Sequence, residues 1–225
     1  MKHIHVPVLG LALLMSSAGT GSAQPAARTD VYHVQFTKAV PGQAAALGQS
    51  LQTPDPKAPM PGHLIVLRHQ QGDDWDYCVI EHLGPKAAVD AASPPPPAAT
   101  RDMTAWHTDS FVAGPAWPEF SRAMGLTAGS PAGSVYSVAV HRAVPGHREQ
   151  LEKALARDPA AKVSASQILM QHLEGGPWQY LVIARFNSWQ DFAADQAGDN
   201  QAGWAEARQH SVFHRDTIAD RIPIK

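Results

Sequence analysis

The feature that most limits what this chain can fold into is that it contains the same unit twice. Val31 to Gly42 recurs as Val135 to Gly146 with seven identities in twelve positions, and His69 to Ile80 recurs as His172 to Ile183 with six in twelve. The copies are offset by 104 residues in the first match and 103 in the second. Two matches in the same order at nearly the same offset mean a duplicated unit, so whatever one half builds the other builds again. A third element recurs near the end of each copy. Arg101, His107 and Asp109 match Arg208, His214 and Asp216 in the pattern Arg-x5-His-x-Asp.

Each copy carries the same predicted elements. Val31 to Lys38 alternates Tyr32, Val34 and Phe36 with His33, Gln35 and Thr37, the two-residue period of a strand with one apolar face. Pro41-Gly42 and Pro145-Gly146 then break the chain ahead of a helix whose apolar side holds Leu47 and Leu51, or Leu151 and Leu155. Leu64 to His69 and Ile168 to Leu173 read as second strands, and Tyr77 to Leu83 and Tyr180 to Phe186 as third strands. They are joined by Gly-Asp-Asp-Trp and Gly-Gly-Pro-Trp turns. Pro85 to Ala92 and Ser188 to Ala194 read as helices before a fourth strand near the His-x-Asp pattern.

The order β-α-β-β-α-β, twice, is the split βαβ arrangement called ferredoxin-like. The strand followed by Val-Pro-Gly, the Gly-x-x-Trp-x-Tyr hairpin and the tandem arrangement together resemble the dimeric alpha-beta barrel superfamily. The resemblance implies an α+β fold in which two ferredoxin-like units set their sheets face to face as a pseudo-dimer, the two repeats pairing with each other. It also implies a choice of activities: cofactor-independent monooxygenases, small isomerases, or haem-binding relatives of chlorite dismutase. Fold alone does not choose among them. The organisation expected is residues 1–23 a signal peptide, 24–124 a first unit, 125–134 a linker and 135–225 a second unit. Ser93 to Pro97 forms a stiff proline spacer inside the first.

Composition narrows the partners. With 18 Lys and Arg against 20 Asp and Glu, a net charge of -2, the chain has no basic footprint for nucleic acid. One cysteine, Cys78, excludes an internal disulfide and a Cys-based zinc cage. Lys2, the apolar run Val6 to Met15 and the small residues up to Ala23 read as an export signal cleaved before Gln24. The run is too short to span a bilayer, so no membrane span is expected. The protein is expected to be periplasmic or secreted. Its partners reduce to a small organic ligand and, as an open option, a second copy of the chain.

Two groups of side chains are candidates for chemistry. If Tyr32, Val34 and Phe36 face outer helices, then His33, Gln35 and Thr37 face the barrel interior, joined by Ser137 and His141 of the second copy and by Tyr77 and Tyr180. These would be ligand-binding residues in a polar pocket. The second group is His107 with Asp109 and His214 with Asp216, plus Arg101 and Arg208. Here histidine supplies an acid or base near neutral pH and aspartate fixes its tautomer. At i and i+2 the pair meets directly only if the backbone bends, and an equally plausible role is structural, with the aspartates capping backbone amides. The fuller site is expected in copy two, where His210 stands beside the motif. His210 and His214, four apart on a helix, are a minor zinc candidate with Asp216. His69 and His172, on matched strands, are a haem candidate. No metal ligand set and no cofactor is assigned, and a non-catalytic module binding a small ligand, haem or metal is the alternative to an enzyme.

Overall fold

The computed structural model describes residues 27–88, 98–127, 134–156, 164–197 and 201–225. The export signal, the proline spacer and most of the expected linker lie outside them. In chain order the elements are β1 (Asp30–Ala39), α1 (Ala44–Leu51), β2 (Leu64–Gln71), β3 (Tyr77–Pro85), α2 (Ala98–Asp102), β4 (Thr104–Gly114) and α3 (Trp117–Ala123). There follow β5 (Val135–Ala143), α4 (Arg148–Leu155), β6 (Ser166–Glu174), β7 (Tyr180–Phe186), α5 (Trp189–Ala197), α6 (Gln201–His210) and β8 (Ser211–Ile222).

The eight strands close into one antiparallel barrel in the order β1-β3-β2-β8-β5-β7-β6-β4. The order β4-β1-β3-β2 of the first four strands recurs in the last four as β8-β5-β7-β6. Two seams join the halves. At one, β2 pairs β8 from Val66 opposite Ile222 to Gln71 opposite Ile218; at the other, β4 pairs β6 from Phe111 opposite Glu174 to Ala113 opposite Gln171. Each half supplies the partners that the other half's edge strands lack, so no strand edge is left to aggregate. The turn glycine of each hairpin lies against the other half: Gly72 (φ +128) on the backbone of Asp216 and Thr217, Gly175 (φ +110) on that of Asp109 and Ser110. A side chain has neither the conformation nor the room there, which is why both copies keep glycine.

The strand faces are the reverse of the sequence expectation. Tyr32, Val34 and Phe36 point into the barrel, where they join Ile65, Leu67, Ile80, Val112, Tyr136, Val138, Met170 and Leu181 in one core drawn from both halves. An eight-stranded barrel has an interior just wide enough for its own side chains, with no solvent to satisfy polar groups, so the bulky apolar row belongs inside. The helices cover smaller apolar patches outside: α1 over Leu47, Val66, Tyr77 and Ile222, and α4 with α6 over Leu151, Leu155, Tyr180 and Ala207.

One end of the barrel is plugged by α3, an element the sequence pattern did not reveal. Phe120 and Met124 are fully buried in the barrel core, and Phe120 packs at a tilt against Tyr32 with centroids 4.8 Å apart. The carbonyls at the end of α3 have no partners within the helix and are met from the second half. Arg185 Nε donates to Ala123 (2.9 Å), the Tyr136 hydroxyl to Met124 (2.7 Å) and Arg221 Nη1 to Gly125 (2.8 Å). Gly125 and its neighbours, expected to begin a linker, are thus fixed parts of the plug. Where a helix was expected over Pro85 to Ala92, the described residues show β3 ending at Pro85 and a short 3-10 turn over Lys86–Ala88. Among the described residues no helix is long and apolar enough to cross a membrane.

Candidate functional site

The pairing of β1 with β4 sets Gln35 opposite Asp109, His33 opposite Phe111 and Thr37 opposite His107, all on the outer face of the sheet. The two groups of candidates from the sequence therefore meet in one place. One oxygen of Asp109 accepts from His33 Nε2 at 2.8 Å and from Gln35 Nε2 at 3.3 Å, and the other lies 3.2 Å from His107 Nε2. No backbone bend is needed for the His107–Asp109 contact, because residues i and i+2 of a strand share a face. Glu81, on the neighbouring β3, stands 3.9 Å from the far side of the His33 ring.

These contacts decide the charge state. Burial works against a proton on His33, but the hydrogen bonds to Asp109 and Glu81 and the two carboxylate charges outweigh it and raise its pKa to about 9. The hydrogen bond from His33 in turn holds Asp109 below the usual carboxylate range, with burial opposing. At neutral pH the cluster holds an imidazolium at His33 and a carboxylate at Asp109. The His107 ring, 42% exposed, lies against the second oxygen of that carboxylate. A carboxylate that orients an accessible imidazole is the arrangement a general acid or base requires.

The second half has the same pair but not its surroundings. His214 Nε2 is 3.7 Å from Asp216. Across the strand from Asp216 stands Ala139 in place of Gln35, and Ser137 takes the position of His33. With no hydrogen-bonding imidazole across the strand, Asp216 is shifted upward by burial, with the charges of His214 and Arg208 pulling the other way. His141 lies on the outer face, 2% exposed, its ring between His214 (6.0 Å) and Trp204 of α6 (6.2 Å). Burial first, and His214 second, push it down to about 4. The first half thus holds the charged and more complete cluster, against the expectation that the second would.

The remaining candidates are placed apart from a polar lumen. Thr37 is buried on the outer face and donates to the Trp106 carbonyl at 3.4 Å. Tyr77 and Tyr180 sit under helices, Tyr77 donating to the Ala44 carbonyl of α1 (2.7 Å) and Tyr180 to Glu152 of α4 (2.8 Å). They are matched struts that fix the helices. Arg101 lies exposed on α2 and Arg208 exposed on α6; Asp109 accepts hydrogen bonds from His33 and Gln35 and lies 3.2 Å from His107.

The metal and haem readings do not fit. His210 ends α6 and faces His147 (3.0 Å between Nδ1 atoms), whereas His214 is already in β8, so the two do not share a helical face. Among the described residues no group of three or more His, Cys, Asp or Glu side chains converges for a metal ion. His69 and His172 stand at equivalent positions on β2 and β6, but each ring packs edge-on against a tryptophan, Trp75 at 5.5 Å and Trp178 at 5.1 Å. The Nε2 atom of each histidine is enclosed by protein, so neither offers an accessible nitrogen to an iron.

Glu81 and a second histidine chain were not singled out from the sequence. At the plugged end His82, 3% exposed, is 2.8 Å from Asp30, whose carboxylate also accepts from the Trp117 amide at the start of α3 (3.2 Å); His63 continues the chain at 3.1 Å. His63 also stacks on Trp117, with centroids 4.4 Å apart. The cluster ties α3 to the barrel rim. No sequence spacing links positions 30, 63 and 82; the placing of β3 between β1 and β2 brings them together.

No family model matches the chain, and no curated protein matches it. Solved structures do. A "putative monooxygenase" from Lactobacillus acidophilus NCFM superposes with a TM-score of 0.55 at 9% identity, over 86% of this chain and 94% of that one. An anthrone oxidase-like protein gives 0.52 at 10% identity over 87% and 92%. A "putative monooxygenase" from Fusobacterium nucleatum gives 0.57 at 5% identity over 88% and 93%. These neighbours have the dimeric alpha-beta barrel fold, and at such identities the likeness establishes that fold and nothing of the chemistry.

Proposed function

We propose that this protein is an exported enzyme of the monooxygenase-like or isomerase-like kind, acting without a bound cofactor on a small organic molecule by proton transfer at His107. Two tandem ferredoxin-like units form its frame. The observation that carries the reading is the single carboxylate of Asp109 shared by His33, Gln35 and the accessible ring of His107. His107 takes a proton from an acidic C–H or O–H of the substrate, Asp109 orients the ring and stabilises its charged form, and the His33 imidazolium keeps Asp109 ionised. Returning the proton to a different carbon makes the reaction an isomerisation. In the oxygenase version a CH2 group and dioxygen become a carbonyl and water, one oxygen atom going to each product, with no external reductant. The neighbours described as monooxygenases support the second version through fold only.

Hydrogen–deuterium exchange into a cyclic 1,3-diketone, followed by NMR, with oxygen uptake recorded in parallel, tests the proton transfer itself. The His107→Gln protein, folded by circular dichroism, is expected to lose about 100-fold or more of the exchange rate. Equal rates in the two proteins would refute the assignment. Export is tested separately by the intact mass of material recovered outside the cytoplasm, expected to begin at Gln24.

A further inference from the structure

At the end of the barrel opposite α3 the packed core stops short. Both hairpin turns and the first residues of β4 and β8 surround a cavity of about 180 Å³ that opens to solvent. Its wall is aromatic: Trp75 and Trp178 from the two hairpins, Phe36 from β1, Trp106 from β4 and Phe213 from β8. The chain has six tryptophans, and three of them stand here. Trp75 and Trp178 are nearly fully buried, and Phe36 packs on Trp75 at 5.5 Å, so these rings are held in place before any ligand arrives.

The two copies line this space differently: Phe36 stands opposite Thr108 in the first, and Val140 opposite Arg215 in the second. Of the charged groups at the rim, Arg215 and Asp73 engage each other and Asp74 lies exposed. Arg215 is paired with Asp73 at 2.6 Å and lies over the Phe213 ring at 5.5 Å, and the Asp73 amide donates to Thr217 at 3.3 Å.

We propose that this mouth is a binding site for a flat, uncharged aromatic molecule of one or two fused rings, distinct from the Asp109 cluster on the outer face. An apolar protein cavity of about 150 Å³ holds benzene, so 180 Å³ open at one side takes one ring fully and a second at the mouth. Fixed aromatic walls favour offset stacking and edge contacts over aliphatic packing. With Arg215 neutralised by Asp73, no unpaired cation remains to select an anion, and the Thr108 hydroxyl stands at the wall for a ligand hydroxyl or carbonyl.

Isothermal titration of the full protein with 2-naphthol, cyclohexanol and phenyltrimethylammonium tests the site. 2-Naphthol is expected to bind at least tenfold more tightly than either of the others. Thr108→Trp, which fills the mouth without removing a core atom, is expected to weaken 2-naphthol at least tenfold, and Phe213→Ala to weaken it by a similar factor. Because Phe213→Ala alters a partly buried ring, its melting curve is recorded alongside, and the Thr108→Trp result stands by itself. Binding of cyclohexanol as tight as 2-naphthol, tighter binding of the ammonium ion, or unchanged affinity in Thr108→Trp would overturn the proposal. His107→Gln is expected to leave 2-naphthol affinity unchanged, which separates this site from the proton-transfer reading.

Discussion

Replacing Asp109 with asparagine keeps the shape and one acceptor oxygen but removes the charge on which the outer-face cluster depends. His33 titrates at about 9 in the folded protein against 6.5 for a free side chain. Its contribution to stability is therefore fully present below about pH 6.5 and is lost as the pH rises through about 9. At about 1.4 kcal/mol per pKa unit the interval corresponds to roughly 3 kcal/mol. Asp109 is 41% exposed, and solvent screening at that partner reduces the contribution to about 1 to 2 kcal/mol. Glu81, 3.9 Å away, retains a small part of it in the variant. In Asp109→Asn the His33 midpoint should fall toward its free value, read from the ring carbon and proton shifts between pH 5 and pH 10.5. Calorimetry should show a melting temperature lower by about 3 to 6 °C at pH 6, with the difference closing above pH 9.5. A wild-type His33 midpoint at or below 7, or a melting difference as large at pH 10 as at pH 6, would show that the carboxylate does not hold the imidazolium.

Two further substitutions examine the frame that positions this cluster. Gly175→Ala forces a side chain onto the Asp109 carbonyl at a backbone angle that L residues avoid, and should cost about 1 to 3 kcal/mol in urea unfolding. It should also disturb the His33 titration, whereas Gly72→Ala, its counterpart against Asp216, should lower stability and leave that titration in place. Phe120→Ala opens the plugged end of the barrel and should cost about 3 to 5 kcal/mol; a loss below 1 kcal/mol would mean that α3 is not part of the core.

Most of the strands could be read from the sequence because each is a local pattern repeated at a fixed offset. β1, β3, β5 and β7 start at or within a residue of where the alternation places them, and the hairpins between β2 and β3 and between β6 and β7 stand at the Gly-x-x-Trp turns. The inward face could not be read in the same way. Alternation shows that Val34 and Gln35 point oppositely, but which points inward depends on whether the sheet closes, a property of all eight strands together. The short helices α2 and α3 span five and seven residues, too few for an amphipathic period to stand out. The Asp30–His82–His63 chain depends on β1 lying beside β3, with the carboxylate and its nearest imidazole 52 positions apart in the chain.

The duplication permits a comparison inside one chain. Positions identical in the two copies are largely frame: Tyr32 and Tyr136 fill the barrel and reach the α3 segment, Trp75 and Trp178 wall its mouth, Tyr77 and Tyr180 brace helices, and Gly72 and Gly175 make the inter-half contacts. The His-x-Asp pair is also kept, yet its chemistry is not. On the strand beside the carboxylate, His33 and Gln35 of the first copy are replaced by Ser137 and Ala139 in the second, and Asp109 is shifted downward where Asp216 is shifted upward. A motif counted along the chain appears twice. Its electrostatic setting comes from the neighbouring strand, so the two carboxylates are shifted in opposite directions, and the first is the one held by a histidine and a glutamine of that strand.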